Sequence, residues 1–186
     1  MSERNGKAVR RTALRPFANS ARASCGWWVS PSIEMVRSEG KAPPPPDPEN
    51  GLWQGRSVAR RFVSPDGLTV LVGRTAEDND VLTFKLASPR DFWLHVAAGS
   101  GSHVVVRNPE GLDRLPKETE HFAASLAAGY SKGKKGGRVA VHLCRCEDVS
   151  KPRRSPPGQV LIDRWRSVQV SPWRPDEPSP PRPSPS

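Results

Sequence analysis

The sequence lacks what would tie it to a disulfide-stapled, membrane-spanning or metal-dependent class of protein. Only three of its 186 residues are cysteine: Cys25, Cys144 and Cys146. An odd number, so placed, is no disulfide framework, and reduced cytosolic thiols are the reading that fits. On a strand, Cys144 and Cys146 share a face with His142. Same-face neighbours stand about 7 Å apart, however, and no second cysteine pair completes a tetrahedral zinc site. No metal and no cofactor is expected. No apolar run approaches the ~18 residues that a spanning helix needs. Ala21 to Val29, broken by Arg22 and Ser24, is too short for a signal-peptide core. A cytoplasmic protein with no membrane partner is therefore expected.

Acidic residues are also in deficit, 19 against 29 Lys and Arg, which leaves a formal charge of +10. Such a surface favours polyanionic partners through counterion release, although it also serves plain solubility.

Proline is abundant, with 21 residues, and its distribution divides the chain. Residues 1–52 mix basic, small and polar residues and end near the run Pro43 to Pro46, which predicts a disordered extension with an extended linker. Met35 is the only methionine besides Met1, so it is an alternative start of translation. Residues 173–186, nearly all Pro, Ser, Arg and acid, predict a solvated tail. Residues 53–172 form the predicted domain.

Within it, Ser57 to Val63 and Leu68 to Val72 flank Ser64-Pro65-Asp66-Gly67, turn chemistry that predicts a β-hairpin. Thr75 to Asp80 is a polar stretch before a short helix over Val81 to Ala87. Strands are expected at Phe92 to Val96 and His103 to Arg107, with the flexible, Gly-bearing Ala97 to Ser102 between them. Pro116 to Tyr130 is the clearest helix: a proline at its start, Glu118 and Glu120 in its first turns, and Phe122, Leu126 and Tyr130 spaced by four. Strands at Val139 to Cys144, Val160 to Asp163 and Ser167 to Val170 complete a small α+β domain with a roughly six-stranded, mostly antiparallel sheet.

Several residues invite a functional reading. Arg74 can grip phosphate, and Asn79 can read a base edge or, with Asp80, cap the following helix. Period-two alternation sets Asp91, Trp93 and His95 on one strand face. There Trp93 can stack a base while Asp91 and His95 bond ribose or base edges, or the three can fill a core. Ser102 and His103 follow the Gly loop, whose amides can hold phosphate. Lys132, Lys134, Lys135 and Arg138 lie among glycines, and Lys151 and Arg153 sit in a second basic loop; both suit a phosphate backbone better than sequence reading.

Six motifs in order carry a resemblance. Val72-Gly73-Arg74-Thr75-Ala76-Glu77-Asp78-Asn79-Asp80, Asp91-Phe92-Trp93-Leu94-His95, Gly101-Ser102-His103-Val104-Val105, the small-residue helix Ala123 to Ser131, Val149-Ser150-Lys151-Pro152 and Pro157-Gly158-Gln159-Val160 closely resemble the NFACT-R domain. That family is known from ribosome quality-control factors of the RqcH and NEMF type, which bind a large ribosomal subunit carrying a stalled chain and recruit tRNA. The resemblance implies an RNA-binding module of the translation machinery, with tRNA or large-subunit ribosomal RNA, and the 50S subunit, as partners. It implies no small-molecule substrate. The chain has no room for the family's other segments, so a stand-alone role without tail synthesis is expected. Two other classes stay open: an RNA-processing enzyme using Asp91, His95 and His103 as acid, base or ligand, and an adaptor acting through its Pro-rich termini.

Overall fold

The computed structural model describes residues 42–132 and 137–176. The disorder expected for residues 1–41 and 177–186, Met35, Cys25 and the basic residues Lys134 and Lys135 all lie outside the described residues.

Short apolar runs build a six-stranded antiparallel sheet, continuous in its centre, as in Val104 to Val106, and alternating with polar residues only toward its edges, as in Arg166 to Val170. In chain order the first two strands, β1 (Leu52–Trp53) and β2 (Arg56–Ser57), form a separate ribbon, turned by Gln54 and Gly55, both at positive φ. The sheet proper comprises β3 (Ala59–Val63), β4 (Thr69–Gly73), β5 (Phe92–Val96), β6 (Val104–Val106), β7 (Val139–Arg145) and, after the small pair β8 (Val149–Ser150) and β9 (Leu161–Ile162), the edge strand β10 (Arg166–Val170). Its order is β10-β7-β5-β6-β4-β3. The β3–β4 turn closes as its residues demand: the Gly67 amide donates to the Ser64 carbonyl at 2.9 Å, with Gly67 at φ +85.

Both faces of the sheet are covered. On one side α2 (Lys117–Gly129) lies across β5, β6 and β7, with Phe122, Leu126 and the fully buried Ala123, Ala124, Ala127 and Ala128 against Val72, Leu94, Val104 and Val141. The alanines let the helix axis come close to the strands. On the other side Leu71, Trp93, Val105 and Cys144 pack beneath Leu82, with Phe84 and Ala87 joining them. Each such large apolar side chain, fully buried, contributes roughly 1.5–3 kcal/mol of transfer free energy.

The boundaries differ from expectation in three places. The first helix begins earlier: α1 spans Ala76–Val81 and runs on into a single π turn, Leu82–Leu86. Its cap is Thr75, whose hydroxyl accepts from the Asp78 amide at 3.1 Å, so Asn79 and Asp80 lie inside the helix and do not cap it. The ordered domain also extends beyond 53–172 at both ends. Residues 47–52 are held by the Asp47–Leu52 bridge, and the Asp47 carboxylate accepts from the Asn50 side chain at 2.8 Å. At the other end Trp173, placed by composition in the tail, packs on Phe122 and donates its amide to the Ser125 carbonyl at 3.1 Å, while Arg174 Nε donates to the Gly129 carbonyl at 2.6 Å. Arg174 of this C-terminal strap thereby satisfies the Gly129 carbonyl, one of those that α2 leaves open at its end.

Candidate nucleic-acid interface

The motif Gly73 to Asp80 owes its composition to packing. A Cβ on Gly73 would stand 2.0 Å from the Asn79 amide oxygen, so only glycine fits there. That oxygen accepts from the His103 amide at 3.0 Å and the Asn79 Nδ2 donates to the Gly101 carbonyl at 3.4 Å. Asn79 thus fixes the Gly loop between β5 and β6 to α1. Asp80 is equally engaged: it accepts from Lys151 Nζ at 2.8 Å and from the Gly158 amide at 3.1 Å, tying α1 to the loop 151–158. Lys151 also donates to the Pro156 carbonyl, which leaves it bound within the protein.

The trio Asp91, Trp93 and His95 does not act as one site. Asp91, 1% exposed, accepts from the Ser88 and Asn108 amides at 2.7 and 2.9 Å and pairs with Arg107; it closes the turn before β5. Trp93, also 1% exposed, is core beneath the π turn and has no open ring face on which a base can stack. His103 is wholly buried. The Gly158 carbonyl can only accept, so Nε2, 3.2 Å from it, carries the proton and Nδ1 accepts from the Thr83 hydroxyl at 2.9 Å. These three placements correct the reading of Asp91, Trp93 and His103 as RNA-facing groups. They also take two residues from the Asp91, His95, His103 constellation considered for catalysis. The reason is common to all: the second sheet face is covered.

Of the trio, His95 reaches the surface. It faces an open cleft of about 890 Å³ formed by the Gly loop, α1, the end of α2, the loop 156–162 and Trp165. His142, opposite His95 in the β5–β7 register, lines it as well, and the His95 and His103 rings meet edge to face at 5.4 Å. Burial holds His95 and His142 below the usual imidazole range and pushes His103 down to about 4, so the imidazoles are neutral at pH 7. Positive charge comes instead from Arg74 and Lys132, both exposed on the lining, and from Arg174, whose guanidinium lies 4.9 Å over the Tyr130 ring. Ser102 lines the cleft, half-buried. Arg138 and Arg153 are exposed but lie outside its lining.

A shallower groove of about 570 Å³ shares Arg74 and Tyr130 with the cleft and continues past Arg60 and Arg61 of β3. Sequence reasoning missed Arg60, Tyr130, His142, Trp165 and Arg174 as cleft or groove residues. For Trp165 a signal existed: an indole between Arg164 and Arg166 in a polar turn is poorly suited to a core. The buried thiols contribute nothing to the site, burial pushing Cys144 up to about 12 and Cys146 higher than the ordinary thiol range. Among the described residues no three His, Cys, Asp or Glu side chains are grouped to hold a metal, and no helix is long and apolar enough to cross a membrane.

A six-stranded antiparallel sheet with one long helix, bearing an open cleft rimmed by cations and floored by neutral rings, defines a small basic α+β binding domain. The chain belongs to the NFACT protein RNA binding domain family, whose model matches residues 59–164. It is 37% identical over 115 residues to the Rqc2 homolog RqcH of Bacillus subtilis, covering 62% of this chain and 20% of that one. With ribosome quality control complex subunit 2 of Schizosaccharomyces pombe it shares 32% identity over 101 residues, 54% of this chain and 10% of the relative. Among solved structures, the C-terminal part of the fibronectin/fibrinogen-binding protein of Streptococcus suis superposes with a TM-score of 0.59 at 32% identity, over 63% of this chain and 47% of that one. The chain spans about a fifth of the length of the RqcH relatives it matches.

Proposed function

We propose that this protein binds RNA through the cleft, as a non-catalytic module working with the ribosome in the cytoplasm, and that its RNA is transfer RNA or large-subunit ribosomal RNA. The observation that carries the reading is the cleft's division of labour. Arg74 and Lys132 stand exposed on its lining, free for phosphate, while the neutral, half-buried His95 imidazole presents a polar ring edge that suits a base. The adjoining groove past Arg60 and Arg61 gives a phosphate backbone room to continue. Membership of a family named for RNA binding, and relatives named for ribosome quality control, support the same reading.

Purification of the tagged full chain at low salt, with sequencing of the RNA crosslinked to it, tests this. Enrichment of large-subunit ribosomal RNA or transfer RNA is expected, with most of it lost in the Arg74→Ala, Lys132→Ala double variant. RNA at background level with the wild-type chain overturns it.

A further inference from the structure

Among the described residues the exposed large apolar side chains are Val63, Leu161 and Trp165, at 51%, 59% and 49% exposure. Two of them, Leu161 and Trp165, line the cleft. The Trp165 indole lies on the His142 imidazole, with ring centroids 3.9 Å apart and planes 26° from parallel. One ring face is therefore held by β7, and half of the side chain is left open to solvent. A ring restrained in this way gives up little conformational freedom when something stacks on its free side. Its surroundings are cationic: Trp165 also lines a smaller cleft of about 340 Å³ with Arg114, Arg145 and Arg164. Arg145 is engaged by the carbonyls of Arg90, Leu112 and Asp113, and Arg164 by Asp148, whereas the Arg114 side chain is exposed.

Resting on the RNA-binding reading above, we propose that Trp165 is the stacking platform of the cleft and that the ligand presents it with an unpaired nucleobase. The cleft accordingly selects single-stranded or looped-out RNA over duplex. In a helix each base face is covered by its neighbours, so a stacking platform has nothing to accept. An unpaired base offers its whole face, and any of the four bases suffices because each has a π surface. Phosphates on either side of that base meet Arg74 and Lys132 in the main cleft and Arg114 in the smaller one. Trp93 cannot take this part, since its ring is enclosed.

The test is fluorescence anisotropy at low salt with the full chain, a labelled 12-nucleotide oligoadenylate, and a fully paired RNA duplex of the same length. Wild type is expected to bind the single strand more tightly. Trp165→Ala weakens that binding about tenfold or more, the usual effect of losing one stacked base, and leaves the weaker duplex binding unchanged. Trp165→Phe, which keeps a flat ring, retains most of the affinity. The thermal transition of both variants stays close to wild type, as befits an exposed side chain. As a measurement that needs no variant for its signal, the Trp165 indole resonance, assigned by its absence from the Trp165→Phe spectrum, shifts on addition of the oligoadenylate. Single-strand binding that survives Trp165→Ala, an equal loss for strand and duplex, or an unmoved resonance overturns the proposal. If Arg74→Ala with Lys132→Ala still abolishes binding in those cases, the RNA-binding reading stands without it. A wild-type chain that binds neither RNA overturns both.

Discussion

His103 shows how one buried side chain couples the loops around the cleft to pH. Its ring is enclosed, donates to the Gly158 carbonyl and accepts from Thr83, while its own amide is held by Asn79. Burial, with the neighbouring His95 adding to it, lowers its pKa from 6.5 to about 4. The unfolded chain takes up a proton at about 6.5 and the folded chain resists until about 4. The folded state therefore has its full advantage above pH 6.5 and loses it as the pH falls through that window, by about 3 kcal/mol when the drop is complete. Urea unfolding measured at a series of pH values is expected to show this fall. In His103→Gln, which is less stable at pH 7 for want of one of the two hydrogen bonds, the slope between pH 6.5 and 4 flattens. An unchanged slope would assign the acid sensitivity to other groups.

Among the elements, the C-terminal strap and α2 depend on each other at Gly129. A Cβ placed there would stand 2.0 Å from the Trp173 carbonyl oxygen and 2.7 Å from its carbon, both backbone atoms that cannot rotate away. In an isolated helix, Gly→Ala gains about 1 kcal/mol. Here we expect Gly129→Ala to destabilise the domain by about 1–3 kcal/mol, because the strap must lift and uncover Phe122. Chemical denaturation gives the sign directly, and a stabilised variant would show that the strap is not packed as described. The strap was illegible in the sequence for a physical reason. Pro172 to Asp176 has the composition of a solvated tail, and the anchoring of Trp173 and Arg174 depends on where a helix 45 residues earlier in the chain happens to end. The strands of the sheet were legible because their signals, short β-branched and apolar runs bounded by turn residues, are local. The start of α1 was misplaced because Thr75, the true cap, was read as part of a polar loop.

For the molecule as a whole, the same contrast between local pattern and global cover explains the candidate site. Alternation tells that Trp93 and His95 share a face, but not that the π turn beyond α1 closes over Trp93 while leaving His95 at the edge of the opening. The motif residues Asn79, Asp80, Asp91 and His103 turn out to hold the scaffold, so a family signature marks the frame of the cleft at least as much as its lining. Arg74 and Lys132, by contrast, are exposed on the lining. Charge on the chain totals +10, yet many of its cations are already paired, among them Arg107 with Asp91, Lys151 with Asp80 and Arg166 with Glu120. Only the unpaired ones can displace counterions from RNA. The logarithm of the affinity for a single strand falls with the logarithm of salt concentration by about 0.7 for each phosphate neutralised. Removing Arg74 and Lys132 together is therefore expected to reduce that slope by about 1.4, for every sequence tested alike. Lys85→Ala, an exposed cation that lines neither the cleft nor the groove, should leave the slope unchanged. Equal slopes for all three proteins would mean that the RNA's phosphates meet the molecule somewhere other than the cleft, and that net charge alone, with no particular arrangement of it, draws the nucleic acid in.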